Sequence, residues 1–194
     1  MNSTDHAQFK RAHGIMTADT ATAEERAEAF QIWLTRSEHY IRSTFYLGVC
    51  HDRGFGTRKN HTKAFQAYLR AAKDGHSASQ HNLYMMYRDG VGTMKNLRAA
   101  IRWLREAAAN RDTEAIRDLG FCYHEGRGVR VDFAKAAALY KMAAIAGDAK
   151  AQWNLACCYQ DGDGVKSSQR WHRHWMRKAA ANGHEKARNR VGEL

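Results

Sequence analysis

Leucine recurs at a fixed interval along this chain: Leu47, Leu83, Leu119 and Leu155 stand 36 residues apart. The small and aromatic positions around each leucine recur with it. Ser43, Leu47, Gly48 and His51 are matched by Ser79, Leu83, Tyr84 and Tyr87. Ala115, Leu119, Gly120 and Tyr123 follow, then Ala151, Leu155, Ala156 and Tyr159. Spacings of four, one and three residues put each set on one face of a helix. A glycine pair comes next in every copy: Gly54 and Gly56, Gly90 and Gly92, Gly126 and Gly128, Gly162 and Gly164. Glycine there supplies the left-handed conformation that stops a helix. Asn60, Asn96, Asp132 and Ser168 then fall in register, all residues whose side chains cap a new helix.

The second helix of each copy carries alanines that allow close approach of helix axes: Ala64, Ala71 and Ala72; Ala100, Ala107 and Ala108; Ala136, Ala143 and Ala144; Ala179 and Ala180. Tyr68, Trp103, Tyr140, Trp171 and Trp175 are expected to fill the gaps between them. A period of this length marks a stacked repeat, in which no unit buries its apolar face alone. The pattern predicts an all-α chain, a right-handed α/α superhelix (α-solenoid) of helix-turn-helix repeats with period 36. Residues 1–194 are expected to form a single repeat domain. Its parts are a degenerate N-terminal repeat over 1–40, four repeats at 41–76, 77–112, 113–148 and 149–184, and a partial capping helix over 185–194. Ala29, Phe30, Gln31, Trp33 and Leu34 echo Ala64, Phe65, Gln66, Tyr68 and Leu69, which motivates the N-terminal unit.

The residues of copies two to four resemble the Sel-1-like repeat, a branch of the tetratricopeptide-type helical repeats. The resemblance rests on the leucine-glycine pair, the tyrosine, and Gly90-Val91-Gly92, Gly126-Arg127-Gly128-Val129 and Gly162-Asp163-Gly164-Val165. It also rests on an acid or amide, lysine-alanine, an aromatic, and Ala-Ala with a closing glycine. It covers about residues 41–184. Copy one departs at His51 and Thr57, and copy four carries Arg170 and Trp171 in place of lysine-alanine. The resemblance implies a protein-binding solenoid. Some relatives are described as binding or hydrolysing β-lactams.

Composition narrows the chemistry. No run of 18 or more apolar residues provides a membrane span. The start, MNSTDHAQFKRAHG, lacks the basic-then-apolar order of a secretory signal, which leads to an expectation of a cytoplasmic protein. Cys50, Cys122 and Cys158 occupy one slot in different repeats. Equivalent helices lie roughly 8–10 Å apart, beyond the about 7 Å that a disulfide tolerates between Cα atoms. All four cysteines, Cys157 included, are therefore expected to be reduced thiols. No C-x-x-C pair, no H-x-x-x-H and no nucleophile signature occurs, and no paired carboxylates stand out. The glycine pairs lack the preceding strand and the following Gly-Lys-Ser/Thr of a phosphate loop. No catalytic residue, metal or cofactor is assigned, and the chain is read as a non-enzyme.

Two surfaces remain as candidates. On each first helix the positions two before, two after and five after the leucine point away from the core set. They are Phe45, Val49 and Asp52; His81, Met85 and Arg88; Arg117, Phe121 and His124; Trp153, Cys157 and Gln160. First helices line the concave side of such solenoids. The partner-binding set is therefore Phe45, Val49, His81, Met85, Arg88, Arg117, Phe121, His124, Trp153 and Gln160, aromatics and arginine being the types enriched at hot spots. The alternative is that these side chains pack against the next repeat. The second surface is basic: eight of the Lys and Arg residues lie in 166–194 against Glu185 and Glu193, and the formal net charge of the whole chain is +11. Arg170, Arg173, His174 and Arg177 are expected to share one face, opposite Trp171, Trp175 and Ala179.

The leading reading is an interaction module that holds an acidic protein or peptide on its concave surface, as adaptor, assembly factor or neutralising immunity partner. The chain is expected to be monomeric without that partner. Nucleic-acid binding through the basic C-terminal face is the alternative, and a β-lactam-type hydrolase a third, for which no residue marks a site.

Overall fold

The computed structural model describes residues 3–192; the outermost residues of the expected N-terminal unit (1–2) and C-terminal cap (193–194) lie outside that range. Among the described residues every regular element is a helix. The chain forms two compact units, residues 1–96 and 97–194. The first holds α1 (Ser3–Thr17), α2 (Ala23–Arg36), α3 (Ile41–Arg53), α4 (His61–Lys73) and α5 (Ser77–Asp89). The second holds α6 (Leu97–Ala109), α7 (Thr113–Glu125), α8 (Phe133–Ile145), α9 (Ala149–Asp161), α10 (Gln169–Ala181) and α11 (Glu185–Val191). Within each unit every helix packs on its chain neighbours. This nearest-neighbour packing is the α-solenoid architecture.

Helix ends fall where the local chemistry places them. Gly54, Gly90, Gly126 and Gly162 stand at left-handed C-caps of α3, α5, α7 and α9. The side chains of Asn60, Asp132 and Ser168 accept from the backbone N–H groups of Lys63, Lys135 and Trp171, opening α4, α8 and α10. Caps of this kind contribute about 1 kcal/mol each. The helices α5, α7, α9 and α11 open on His76, Asp112, Asp148 and His184, and each side chain accepts an N–H three residues on.

The second glycine of each pair has a different duty. A Cβ on Gly56 would overlap the Arg26 carbonyl, one on Gly92 the His61 carbonyl, and one on Gly164 the Phe133 carbonyl. Each turn thus sits against the start of a second helix one copy earlier, with main chain touching main chain. Gly48 and Gly120 leave room for the rings of Tyr68 and Tyr140, which would come within 3.2 Å of an added Cβ.

The core follows the leucine-alanine pattern. In residues 97–194 Leu155, Ala156, Cys158, Tyr140, Trp175 and Met176 pack together with Ala143, Ala151, Ala179 and Ala187. Burial of a side chain the size of Leu155 stabilises the fold by about 1.5–3 kcal/mol. In residues 1–96, Ala12 and Trp33 of the first two helices share a core with Cys50.

Trp171 does not fill a core gap: it is 45% exposed. The 36-residue register explains this. Position 171 is the slot of Lys63 and Lys135, both solvent-facing, whereas His172 takes the slot of the buried Ala64 and Ala136. The lysine-alanine slots of copy four are therefore Trp171 and His172, not Arg170 and Trp171. His172 is buried, and its Nδ1 lies 2.9 Å from the Ala156 carbonyl, a structural role.

Candidate functional site

The first-helix positions behave differently in the two units. In residues 1–96, Phe45 of α3 is half-buried and lies at the edge of a 530 Å³ hollow with Phe9, His13, Tyr46 and His76. Its ring is 4.6 Å from that of His76. Val49 and His81 are both 8% exposed, so the expectation that they point to solvent fails for these two. The His81 ring stacks at 5.8 Å on Tyr84, a bulky residue where copies one and three have glycine. Met85 and Arg88 are half-buried. Arg88 is held by a two-point pair with Asp89 at 2.6 and 2.8 Å and lies over the Tyr84 ring.

In residues 97–194 the corresponding positions surround a cleft of 580 Å³ between α7, α9 and the start of α11. Phe121 is 36% exposed at its wall, and Trp153 is half-buried. The indole of Trp153 stacks on the His184 ring at 4.8 Å with an interplanar angle of 17°. Arg190 lies over the same indole at 5.3 Å, and Arg127 over Phe121 at 4.7 Å. Lys150 and Lys186 complete the rim with Glu185. The cleft therefore offers two aromatic surfaces inside a charged edge, where Lys150 and Lys186 accompany Glu185 and the Arg117–Asp118 pair.

Arg117 sits in the wall of this cleft but is not a loose hook. It donates to Asp118 at 2.9 Å and to Asp148 at 2.8 Å. The two carboxylates hold the guanidinium in its charged form against the cost of burial, so its pKa is raised. His124 is likewise engaged, 2.9 Å from Glu125 and 3.3 Å from Asp163. Gln160 is exposed and lies outside the cleft lining. Of the sequence-derived set in this unit, the cleft gathers Arg117, Phe121 and Trp153. Sequence reasoning missed His184, Lys150 and Lys186. The signal for His184 was its place in the cap register of Asp112 and Asp148.

Arg170, Arg173, His174 and Arg177 do share a surface on α10, lining a 790 Å³ hollow, and Trp171 and Lys178 join them. The expectation that aromatics near this charge face inward is corrected for Trp171, whereas Trp175 and Ala179 are buried.

Nucleophilic chemistry finds little support. Burial pushes the Cys50 and Cys158 thiols up to about 12, and the Cys157 thiol is raised by the same cause. All four cysteines are free, and the three thiols raised in this way favour the protonated form. Among the described residues no three His, Cys, Asp or Glu side chains gather as a metal-holding group, and no helix is long and apolar enough to cross a membrane.

Paired short helices that pack mainly on their chain neighbours within each unit define an α-solenoid of the protein-interaction class. The Sel1 repeat model matches residues 41–76, 77–112, 113–148 and 149–184, and the chain belongs to the Sel1 repeat family. A Sel1 repeat protein from Oxalobacter formigenes is 30% identical, with TM-score 0.82 over 95% of this chain and 74% of that one. A protective antigen of uropathogenic Escherichia coli with an SLR fold is 25% identical, with TM-score 0.88 over 97% of this chain and 40% of that one. The DAP3-binding cell death enhancer 1 of Mus musculus is 29% identical over 73 residues, or 38% of this chain. The match spans only 14% of that relative's length.

Proposed function

We propose that the chain is a non-catalytic module that captures an acidic segment of a partner protein on its first-helix faces. The observation that carries this reading is the 580 Å³ cleft, where partly exposed Phe121 and half-buried Trp153 lie beside Lys150 and Lys186. Aromatic anchors in a partly desolvated hollow give affinity, and surrounding positive charge speeds encounter with an acidic partner. The net charge of +11 acts in the same direction. The mouse relative's name, which describes binding to another protein, supports protein capture as the kind of activity.

In this reading Phe121 and Trp153 are the anchors, and Arg117 and His124 shape the wall. On residues 1–96 by themselves, Phe45, Met85 and Arg88 are a second candidate contact surface, in which Val49 and His81 are buried. Gln160 contributes at the periphery. The test is affinity capture from the native host with wild-type chain and with Phe121→Ala/Trp153→Ala. An acidic protein retained by wild type and lost by the double variant, at unchanged helicity and melting temperature, is the expected result. Equal capture by both, or a retained partner without acidic character, refutes the proposal.

A further inference from the structure

The α10 surface carries a ligand chemistry distinct from the protein-capture cleft. Arg170, Trp171, Arg173, His174, Arg177 and Lys178 enclose the 790 Å³ hollow, and no carboxylate is among its lining residues. Trp171 is 45% exposed although it is the largest side chain type, and its ring is backed by Tyr159 at 6.1 Å with an interplanar angle of 26°. His174 meets its edge at 5.3 Å. The Trp171 ring is thus held in place while a large part of the residue stays open to solvent. Trp175, Met176 and Ala179 of the same helix are buried in the protein core and are not available to a lipid phase.

We propose that this surface is a binding site for single-stranded nucleic acid, read without regard to sequence. A braced aromatic inside a cationic hollow supplies the two terms such ligands need: stacking of a base and neutralisation of the backbone. Arg170, Arg173 and Arg177 are spread over about 10 Å of the helix, so the three guanidinium groups can each meet a different phosphate of a flexible strand. A run of carboxylates alone would satisfy the arginines but brings no ring to stack on Trp171. A membrane surface would need more than one exposed apolar group. A duplex hides its bases from Trp171.

The experiment is fluorescence anisotropy with a labelled thymidine oligonucleotide of about twelve nucleotides. Competitors are the matching duplex, polyglutamate and anionic phospholipid vesicles. With about three phosphates engaged, affinity falls roughly twenty-fold between about 50 and about 200 mM salt. Trp171→Ala weakens binding about ten-fold, Trp171→Phe restores most of it, and Arg170→Glu/Arg173→Glu/Arg177→Glu abolishes it. Because these side chains are exposed, thermal melting should not change, and Phe121→Ala/Trp153→Ala should bind the oligonucleotide as wild type does. Binding indifferent to Trp171→Ala, absence of binding at low salt, or stronger competition by duplex, polyglutamate or vesicles than by unlabelled single strand overturns the proposal.

Discussion

Gly164→Ala should destabilise residues 97–194 far more than Gly162→Ala, although the two glycines stand in the same turn. Both have positive φ, +70° and +85°. A left-handed conformation costs a residue with a Cβ about 1–2 kcal/mol. For Gly162 that is the whole cost, since the nearest atom to an added Cβ is that of Ser167 at 3.8 Å. At Gly164 the new methyl group would overlap the backbone carbonyl of Phe133, which cannot swing aside as a side chain would. Overpacking adds about 1–3 kcal/mol, for a total of about 2–5 kcal/mol. With a urea slope of about 2–3 kcal/mol/M, the midpoint should drop by roughly 1–2 M. Urea denaturation followed by far-UV circular dichroism measures the shift. Amide hydrogen exchange then assigns the loss to α8, α9 and α10 rather than to residues 1–96. Equal losses for the two variants would refute the reasoning, because only the close approach distinguishes them.

Asp148 both caps α9, accepting from the Ala151 N–H at 2.6 Å, and pairs with Arg117 at 2.8 Å, and both side chains are largely buried. Asp148→Ala should cost about 2–4 kcal/mol, and Asp148→Asn, which keeps the cap, about half as much, measured by urea unfolding. The Nδ1 of His184 accepts from the Ala187 N–H, and burial, then Lys186 and Lys150, lower its pKa below the ordinary value near 6.5. A depressed histidine pKa means that the folded state binds the proton less readily than the unfolded state. Its contribution is therefore complete above about pH 6.5 and lost as pH falls below it. Amides of α11 should lose protection between about pH 7 and about pH 5, and His184→Asp should remove most of this dependence while retaining the cap. An unchanged pH profile in the variant would exclude His184 as the cause.

The repeat, its helix pairs and most helix ends could be read from sequence because they depend on local chemistry. Gly54, Asn60, Asp132 and Ser168 each act on backbone within a few residues of themselves. Burial on the first-helix faces was less legible. A helical wheel places Phe45, Val49 and His81 alike, yet Val49 and His81 are covered while Phe45 is only half-covered, since coverage depends on neighbouring side chains such as Tyr84. Charge was also read too simply: Arg88, Arg117 and His124 look like a positive edge in sequence, but Asp89, Asp118, Asp148, Glu125 and Asp163 sit against them. For Trp171, apolar character and the strict 36-residue register point in opposite directions. Hydrophobicity suggested the interior, whereas alignment with Lys63 and Lys135 gives the surface.

The joints at Gly56, Gly92 and Gly164 separate two kinds of inheritance in this molecule. At these three joints the spacing is fixed by carbonyl groups, which every amino acid possesses, meeting a residue that has no side chain to vary, whereas Gly128 meets the Ile101 side chain. Exposed positions that make no bridge are thereby freed from holding the copies together, unlike His124 and Trp153, which reach Asp163 and His184. Such a chain can exchange those unbridged residues while the interval across these three joints stays constant.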